Sequence, residues 1–119
     1  MSKYNKYKKK LFNDAKGLCQ YCGEELSMND TYNVTIDHVT PQHLGGKSDY
    51  NNLRICCKKC NSQKRHRDIE TFRRIKISKI NNIPSFSKEQ KEYLKDNCNL
   101  NIDNYINNFG YLFEFERIK

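Results

Sequence analysis

Apolar residues follow two different spacings along the chain, and each spacing predicts one type of element. Spacings of three and four predict an amphipathic helix over residues 3–16, which Gly17 ends. Alternating positions rich in β-branched residues predict a strand over 32–39, and the short apolar run 53–56 predicts a second strand. The first half of the chain is therefore expected to combine one helix with two strands.

The second half of the chain predicts helices and one final strand. Residues 58–80 contain neither Gly nor Pro, which predicts a helix to at least Arg74. A capping-box pattern predicts a further helix over 87–97, followed by one or two helical turns over 103–108. Alternating apolar positions over 111–118 predict a strand. Together these elements indicate an α+β fold.

Chain length and composition predict one small domain with a thin core. All 119 residues are expected to form a single domain, in which Leu, Ile, Val and Phe number only 26. A core this small favours an additional staple. No apolar run is long enough to cross a membrane, and the polar, basic start of the chain does not resemble a secretory signal. We therefore expect a cytoplasmic protein with reduced thiols and no membrane partner.

Positive charge is concentrated in two blocks of the chain. The net charge is +8, and the excess lies in residues 1–16 and 58–79, on either side of a mildly acidic centre. A polyanion is the usual partner of such a distribution, so nucleic acid is the expected ligand. We expect these blocks to contact phosphates without distinguishing base sequence.

The six cysteines predict a structural zinc site. Four of them form two Cys-x-x-Cys pairs, Cys19, Cys22, Cys57 and Cys60. Zinc prefers four soft ligands in a tetrahedron, which two such pairs supply. A redox-active pair would need a βαβ setting, and the sequence predicts none. Cys56 is the rival of Cys57, but the spacing to Cys60 favours Cys57, and Cys98 is expected to be a free thiol.

Three residues between and after the cysteine pairs carry the chemistry of phosphodiester hydrolysis. His38 can act as a base near neutral pH, while Asp37 and Asn61 offer hard oxygens to a divalent ion. Mg²⁺ needs only one or two protein oxygens, because it keeps several waters. Adjacent strand residues point to opposite faces, so Asp37 and His38 can share a site only if the strand bends or ends there. Pro41 makes such an end plausible.

Several short motifs occur in a fixed order around these residues. They are Ile36-Asp37-His38-Val39-Thr40-Pro41, Gly45-Gly46, Asn51-Asn52-Leu53 and Cys57-x-x-Cys60-Asn61-x-x-Lys64. Residues 19–67 thereby resemble the HNH endonuclease family, in its four-cysteine zinc subtype. The resemblance implies a small ββα-metal, treble-clef-like domain with a structural tetra-cysteine zinc site. The N-terminal helix and a C-terminal helix/strand extension would flank this domain. Residues 81–119 match no motif. We expect them to complete the core, and a dimer contact or a contact with the target stays open as an alternative.

The resemblance also implies a role for each site residue. The residue matching His38 is the general base, and those matching Asp37 and Asn61 hold a single ion, here Mg²⁺ or Mn²⁺. The residue matching Asn52 braces the loop that orients the base. Two basic residues of the same predicted helix, Lys64 and Arg67, are expected to bind nucleic-acid phosphates.

These roles predict a metal-dependent endonuclease that hydrolyses DNA. One chain offers one such site, so a monomer is expected to nick, and a double-strand break would need a homodimer or two successive events. Two alternatives stay open at the level of sequence. The first is a non-catalytic, zinc-stapled DNA-binding module, which would have no use for Asp37, His38 and Asn61 together. The second is an RNA-cleaving nuclease or toxin with the same site.

Overall fold

The computed structural model describes residues 5–117, which contain five α-helices and two β-strands. The elements in chain order are α1 (Asn5–Asp14), β1 (Thr35–His38), β2 (Leu53–Cys56), α2 (Lys58–Lys64), α3 (Ile69–Ile80), α4 (Lys88–Cys98) and α5 (Ile102–Asn107). The described residues fall into two compact units, one reaching to Ile69 and resuming at Leu112, the other spanning Glu70–Tyr111. None of the helices described is both long and apolar enough to span a bilayer.

The first unit is built on a two-stranded antiparallel sheet. Thr35 of β1 lies opposite Cys56 of β2, and His38 lies opposite Leu53. One face of this sheet packs with α1 to form a small apolar core, whose buried members are Leu11, Val34, Leu53 and Ile55. The bounds of β2 are as predicted, whereas β1 is shorter because a 3₁₀ turn occupies Thr31–Asn33.

Helix α2 follows β2 directly and is shorter than the sequence predicts. Its first turn is capped by the sulfur of Cys57, which accepts a hydrogen bond from the backbone N–H of Cys60. The helix ends after Lys64, since Arg65 takes a positive φ of 53° that no helix can continue through. The continuous helix expected from residue 58 to at least Arg74 is therefore wrong, and α3 begins anew at Ile69.

The second unit contains its own apolar core. Ile77 of α3 packs there with Ile102 and Ile106 of α5. The predicted capping box of α4 is confirmed, because Ser87 Oγ accepts from Gln90 N–H while Gln90 Oε1 accepts from Ser87 N–H. This reciprocal pair satisfies two backbone donors that the first turn would otherwise leave unbonded.

The end of the chain corrects one further prediction. Residues 111–117 contain no strand; a 3₁₀ turn occupies Glu114–Glu116, and Phe115 N–H donates to the carbonyl of Gln20. The predicted aromatic alternation is used for packing instead, since Phe113 is fully buried with its ring edge-to-face against Tyr21. Other parts of the predicted elements, residues 3–4 and 118, lie outside the described range. The predicted fold class is confirmed: an α+β protein with a two-stranded sheet, helices and a cysteine cluster.

Candidate functional site

The predicted zinc ligands come together in the first unit. The sulfurs of Cys19, Cys22, Cys57 and Cys60 all lie within 4.8 Å of one another. A tetrahedral zinc ion with Zn–S distances of about 2.3 Å holds its sulfurs about 3.8 Å apart. The sulfurs of Cys22 and Cys57, one from each pair, are 3.8 Å apart. The four residues therefore fit a structural zinc ion.

Each cysteine pair is folded in advance for this role. Cys22 N–H donates to Cys19 Sγ, and Cys60 N–H donates to Cys57 Sγ, both at 3.4 Å. The first pair occupies a tight turn in which Gly23 has a φ of +81°, a conformation that glycine adopts without strain. Backbone donors directed at sulfur stabilise thiolates, which are the form that binds zinc.

The thiols of the cluster influence one another strongly. Hydrogen bonding to the Cys22 thiol lowers the pKa of Cys19, whereas hydrogen bonding to Cys19 raises the pKa values of Cys57 and Cys60. Four thiolates this close together repel one another unless a cation lies among them. The cluster therefore favours full ionisation only with a metal ion bound.

Cys56, the rival ligand, is placed away from the cluster. Its side chain is fully buried, and its sulfur lies 3.2 Å from Thr35 Oγ1. Burial raises the pKa of the Cys56 thiol. Cys56 is thus a neutral, packed thiol, and Cys57 is the cluster member, as the spacing to Cys60 predicts. Cys98 is exposed, and it is free as expected.

The three residues with hydrolytic chemistry line one open cleft of the first unit. Asp37, His38 and Asn61 border the same cleft of about 830 Å³. Strand β1 ends at His38, which lets two adjacent residues reach one site. Asn61 belongs to α2, whose first turn carries two of the clustered cysteines. The cleft therefore lies between the end of β1 and a helix that the cysteine cluster fastens.

Asp37 is largely buried and has two partners on one carboxylate oxygen. Tyr21 donates its hydroxyl to Asp37 Oδ2 at 2.6 Å, and the Lys64 ammonium lies 2.9 Å from the same oxygen. The other oxygen, Oδ1, accepts no hydrogen bond from the residues described, and it is not among their buried, unpartnered atoms. Oδ1 is therefore available from the solvent side.

Lys64 lies inside the protein, in a position that differs from the one expected of a phosphate-binding residue. Its side chain is fully buried, and Nζ donates to the carbonyl of His38 at 2.8 Å besides pairing with Asp37. The ammonium therefore faces Asp37 and His38 rather than solvent, and the binding of phosphate by Lys64 stays a prediction from the sequence that this arrangement does not support. Arg67, by contrast, is exposed, and it donates to the carbonyl of Gln63.

A loop held by Asn52 borders the cleft next to His38. Asn52 Oδ1 accepts from Thr40 N–H, while Asn52 Nδ2 donates to the carbonyls of Thr40 and Lys47. Ser48, in the same loop, lies 3.1 Å from His38 Nε2 through its hydroxyl. Asn52 thus closes this loop through Lys47, and the residue after Lys47, Ser48, contacts the imidazole of His38.

The two glycines of this loop serve different purposes. Gly45 has a φ of +93° and ends a 3₁₀ turn, whereas a Cβ on Gly46 would lie 1.7 Å from the carbonyl oxygen of Thr40. The first position needs glycine for its conformation, and the second needs it for lack of space. The Gly45-Gly46 pair therefore brings the loop back onto the end of β1.

The cleft also contains residues that the sequence analysis did not assign. His43, Arg65 and His66 also line it, and the rings of His43 and His66 are 6.3 Å apart. Tyr21, the partner of Asp37, lies inside the first cysteine turn, where no sequence signal indicates its contact. The burial of Lys64 did have a signal, because Lys64 shares one helical stripe with Cys57 and Cys60.

Two antiparallel strands followed by a helix fastened through a cysteine cluster define a ββα fold of the metal-binding type. Residues 19–76 match a protein-family model described as HNH endonuclease. Residues 19–76 therefore form an HNH endonuclease family domain, which confirms the resemblance predicted from the motifs. No curated protein gives a significant match to the chain.

Proposed function

We propose that the chain is a metal-dependent endonuclease that hydrolyses phosphodiester bonds of DNA. The observation that carries this proposal is the single cleft lined by Asp37, His38 and Asn61 together. The family of residues 19–76 supports nuclease chemistry, and the positive charge of the chain supports a nucleic-acid substrate.

His38 is the proposed general base. Its imidazole takes a proton from the water that attacks phosphorus, and the bond to the 3′ oxygen breaks, leaving a 5′-phosphate and a 3′-hydroxyl. Asn52 supports this role indirectly, because it closes the loop that carries Ser48 to the imidazole. An imidazole held in one orientation loses less freedom when the reacting water arrives.

Asp37 and Asn61 are the proposed holders of one divalent ion, Mg²⁺ or Mn²⁺. The donor set fits such an ion, because a carboxylate oxygen facing solvent and an amide oxygen border the same cleft. When bound there, a hard cation supplies positive charge to the phosphate and to the departing oxygen. Oxygen donors favour Mg²⁺ or Mn²⁺ here, as sulfur donors favour zinc in the cluster.

The proposed nucleic-acid contacts lie on exposed basic side chains. Arg67 follows α2, and α1 presents the exposed residues Lys6, Lys9 and Lys10. Contacts of this type position a duplex without reading its sequence. We also propose that both compact units serve this one nuclease function, that a monomer nicks, and that a double-strand break needs a homodimer or two events.

The test is a plasmid-nicking assay of the zinc-loaded protein with and without Mg²⁺ or Mn²⁺. Wild type should nick only with the added ion, and His38→Ala should lose at least about a hundredfold of the rate while its DNA binding and its zinc content stay unchanged. An RNA substrate in parallel tests the alternative nucleic acid. Equal nicking by wild type and His38→Ala would overturn the assignment of the base, and DNA binding without any cleavage would indicate a binding module.

A further inference from the structure

The contact between Lys64 and Asp37 has a consequence for how the cleft accepts a cation. The Lys64 side chain is fully buried, and its ammonium lies 2.9 Å from Asp37 Oδ2. It is also held by the carbonyl of His38 at 2.8 Å. A buried ammonium held by two partners cannot swing into solvent, so its charge stays beside the carboxylate.

The few charges around the cleft make the Lys64–Asp37 pair the main influence on how the cleft attracts a cation. Among the described residues that line the cleft, Asp37 is the one carboxylate, and Arg65 contributes a second positive charge. Tyr21, the other partner of Asp37 Oδ2, is neutral, and burial among other causes raises its pKa further. The negative charge of Asp37 is therefore matched by Lys64 before any cation arrives.

A divalent ion binds poorly to a site whose charge is already balanced. Mg²⁺ and Mn²⁺ lose part of their hydration shell on binding, and negative oxygen ligands normally compensate for that loss. Here the ion would meet a neutral pair and a nearby guanidinium, so protein ligands alone give little net attraction. A nucleic-acid phosphate in the cleft would add the missing negative oxygens.

We propose that Lys64 is a resident counter-ion of Asp37 that makes divalent-ion binding conditional on a nucleic-acid phosphate. This inference rests on the proposed function, because it takes Asp37 as the ligand of the ion. Lys64 itself touches neither substrate nor ion; it acts through the carboxylate and is a positioning residue. The cleft then holds its ion only when a substrate is present.

The experiment measures Mn²⁺ affinity by electron paramagnetic resonance, on zinc-loaded protein carrying His38→Ala so that no cleavage occurs. The protein is titrated alone and with a short DNA duplex. We expect the duplex to tighten Mn²⁺ binding by about tenfold or more, since a doubly charged ion gains direct contact with phosphate. Lys64→Met should tighten Mn²⁺ binding to the protein alone by a similar factor, because it leaves Asp37 without its counter-ion.

Two matched variants separate charge from packing. Lys64→Arg keeps the positive charge and should leave Mn²⁺ binding to the protein alone weak. Tyr21→Phe removes a neutral hydrogen bond from the same oxygen and should change the affinity for Mn²⁺ by less than about threefold. The comparison of wild-type Lys64 with and without duplex needs no substitution at Lys64, so it stands even if Lys64→Met folds poorly.

The possible results separate this inference from the proposed function. Equal Mn²⁺ affinity with and without duplex, lost in Asp37→Asn, would overturn the counter-ion role and leave the nuclease proposal intact. Mn²⁺ binding that exceeds the binding to duplex alone and survives Asp37→Asn would overturn both, because Asp37 would not be the ligand.

Discussion

The cysteine cluster and the cleft are two candidate metal sites in one small unit, and they differ in how complete they are. The cluster brings together four sulfurs that could fill a tetrahedral shell without help from solvent. At the proposed ion site the cleft offers the solvent-facing oxygen of Asp37, the amide of Asn61 and the imidazole of His38, and the second oxygen of Asp37 is already bonded. A closed shell suits a structural ion, and an open shell leaves positions for water and substrate.

The cysteine cluster also helps to position residues of the cleft. The cluster fastens the first turn of α2 to the Cys19–Cys22 turn, and α2 then carries Asn61 to the cleft and Lys64 to Asp37. We therefore expect stability to depend mainly on the cluster and the proposed chemistry to depend mainly on the cleft. Substitutions in the two regions should therefore separate into losses of fold and losses of cleavage.

Loss of a cluster ligand should have the largest effect. Cys60→Ser removes a fully buried sulfur and with it the closed zinc shell. A structural zinc ion contributes on the order of 10 kcal/mol to folding, which equals the whole stability of many small domains. We expect loss of bound zinc and of the cooperative thermal transition, as measured by metal analysis and circular dichroism. Cys98→Ser, an exposed cysteine outside the cluster, is the matched control and should change neither.

The next largest effect should come from Gly46, where the loop beside the cleft has no space for a side chain. In Gly46→Ala the new methyl would overlap the Thr40 carbonyl, so the loop must move away from β1. We expect a loss of more than about 3 kcal/mol in the free energy of unfolding, with zinc retained and cleavage lost. Gly45→Ala, where a Cβ meets no atom within 4 Å, should cost only the strain of its φ, about 1–2 kcal/mol. A larger loss at Gly45 than at Gly46 would contradict this account of the loop.

A smaller loss should follow from the side chain that closes the loop. Asn52→Ala removes three hydrogen bonds to backbone groups of Thr40 and Lys47. At about 1 kcal/mol for each bond, we expect a loss of about 2–3 kcal/mol by urea unfolding. The cleavage rate should fall more than stability alone explains, because the loop also carries Ser48. Asn51→Ala changes the adjacent exposed side chain and should leave both quantities near wild type.

The smallest effect, a change in the pKa of Asp14, should appear where α1 contacts Tyr50 in the turn before β2. Tyr50 donates its hydroxyl to Asp14, and this bond is the main cause of the lowered pKa of Asp14. Because that pKa is lowered in the folded state, the contact stabilises at neutral pH and its contribution is lost as pH falls through the folded pKa. Tyr50→Phe should raise the pKa of Asp14 toward its ordinary value in a carboxyl-detected NMR titration. Tyr32→Phe, at an exposed ring, should leave it unchanged.

The parts of the fold that could be predicted depend on local signals. The bounds of β2 and the capping box of α4 follow from residue types that act on their immediate neighbours. The choice of Cys57 over Cys56 follows from the geometry of a single turn, and the structure agrees with it. Such features need no knowledge of the rest of the chain.

The parts that could not be predicted depend on tertiary contacts. Helix α2 ends before Arg65 although residues 58–80 contain neither Gly nor Pro. The cysteine cluster holds the first turn of this helix and the burial of Lys64 holds its last turn, and both depend on residues elsewhere in the chain. The aromatic alternation near the end of the chain predicts a strand, but Phe113 packs on Tyr21 instead. Asp37, His38 and Asn61 share one cleft because of where β1 ends, and residue spacing alone does not determine that end.

The most direct test of the division between cluster and cleft is one paired measurement of zinc content and plasmid nicking. Wild type and His38→Ala are freed of Mg²⁺ by a resin that leaves structural zinc in place, and both are assayed before and after Mg²⁺ is restored. We expect stoichiometric zinc in every sample and nicking only by wild type with Mg²⁺. Nicking by His38→Ala at the wild-type rate, or full nicking by wild type with zinc alone, would contradict it.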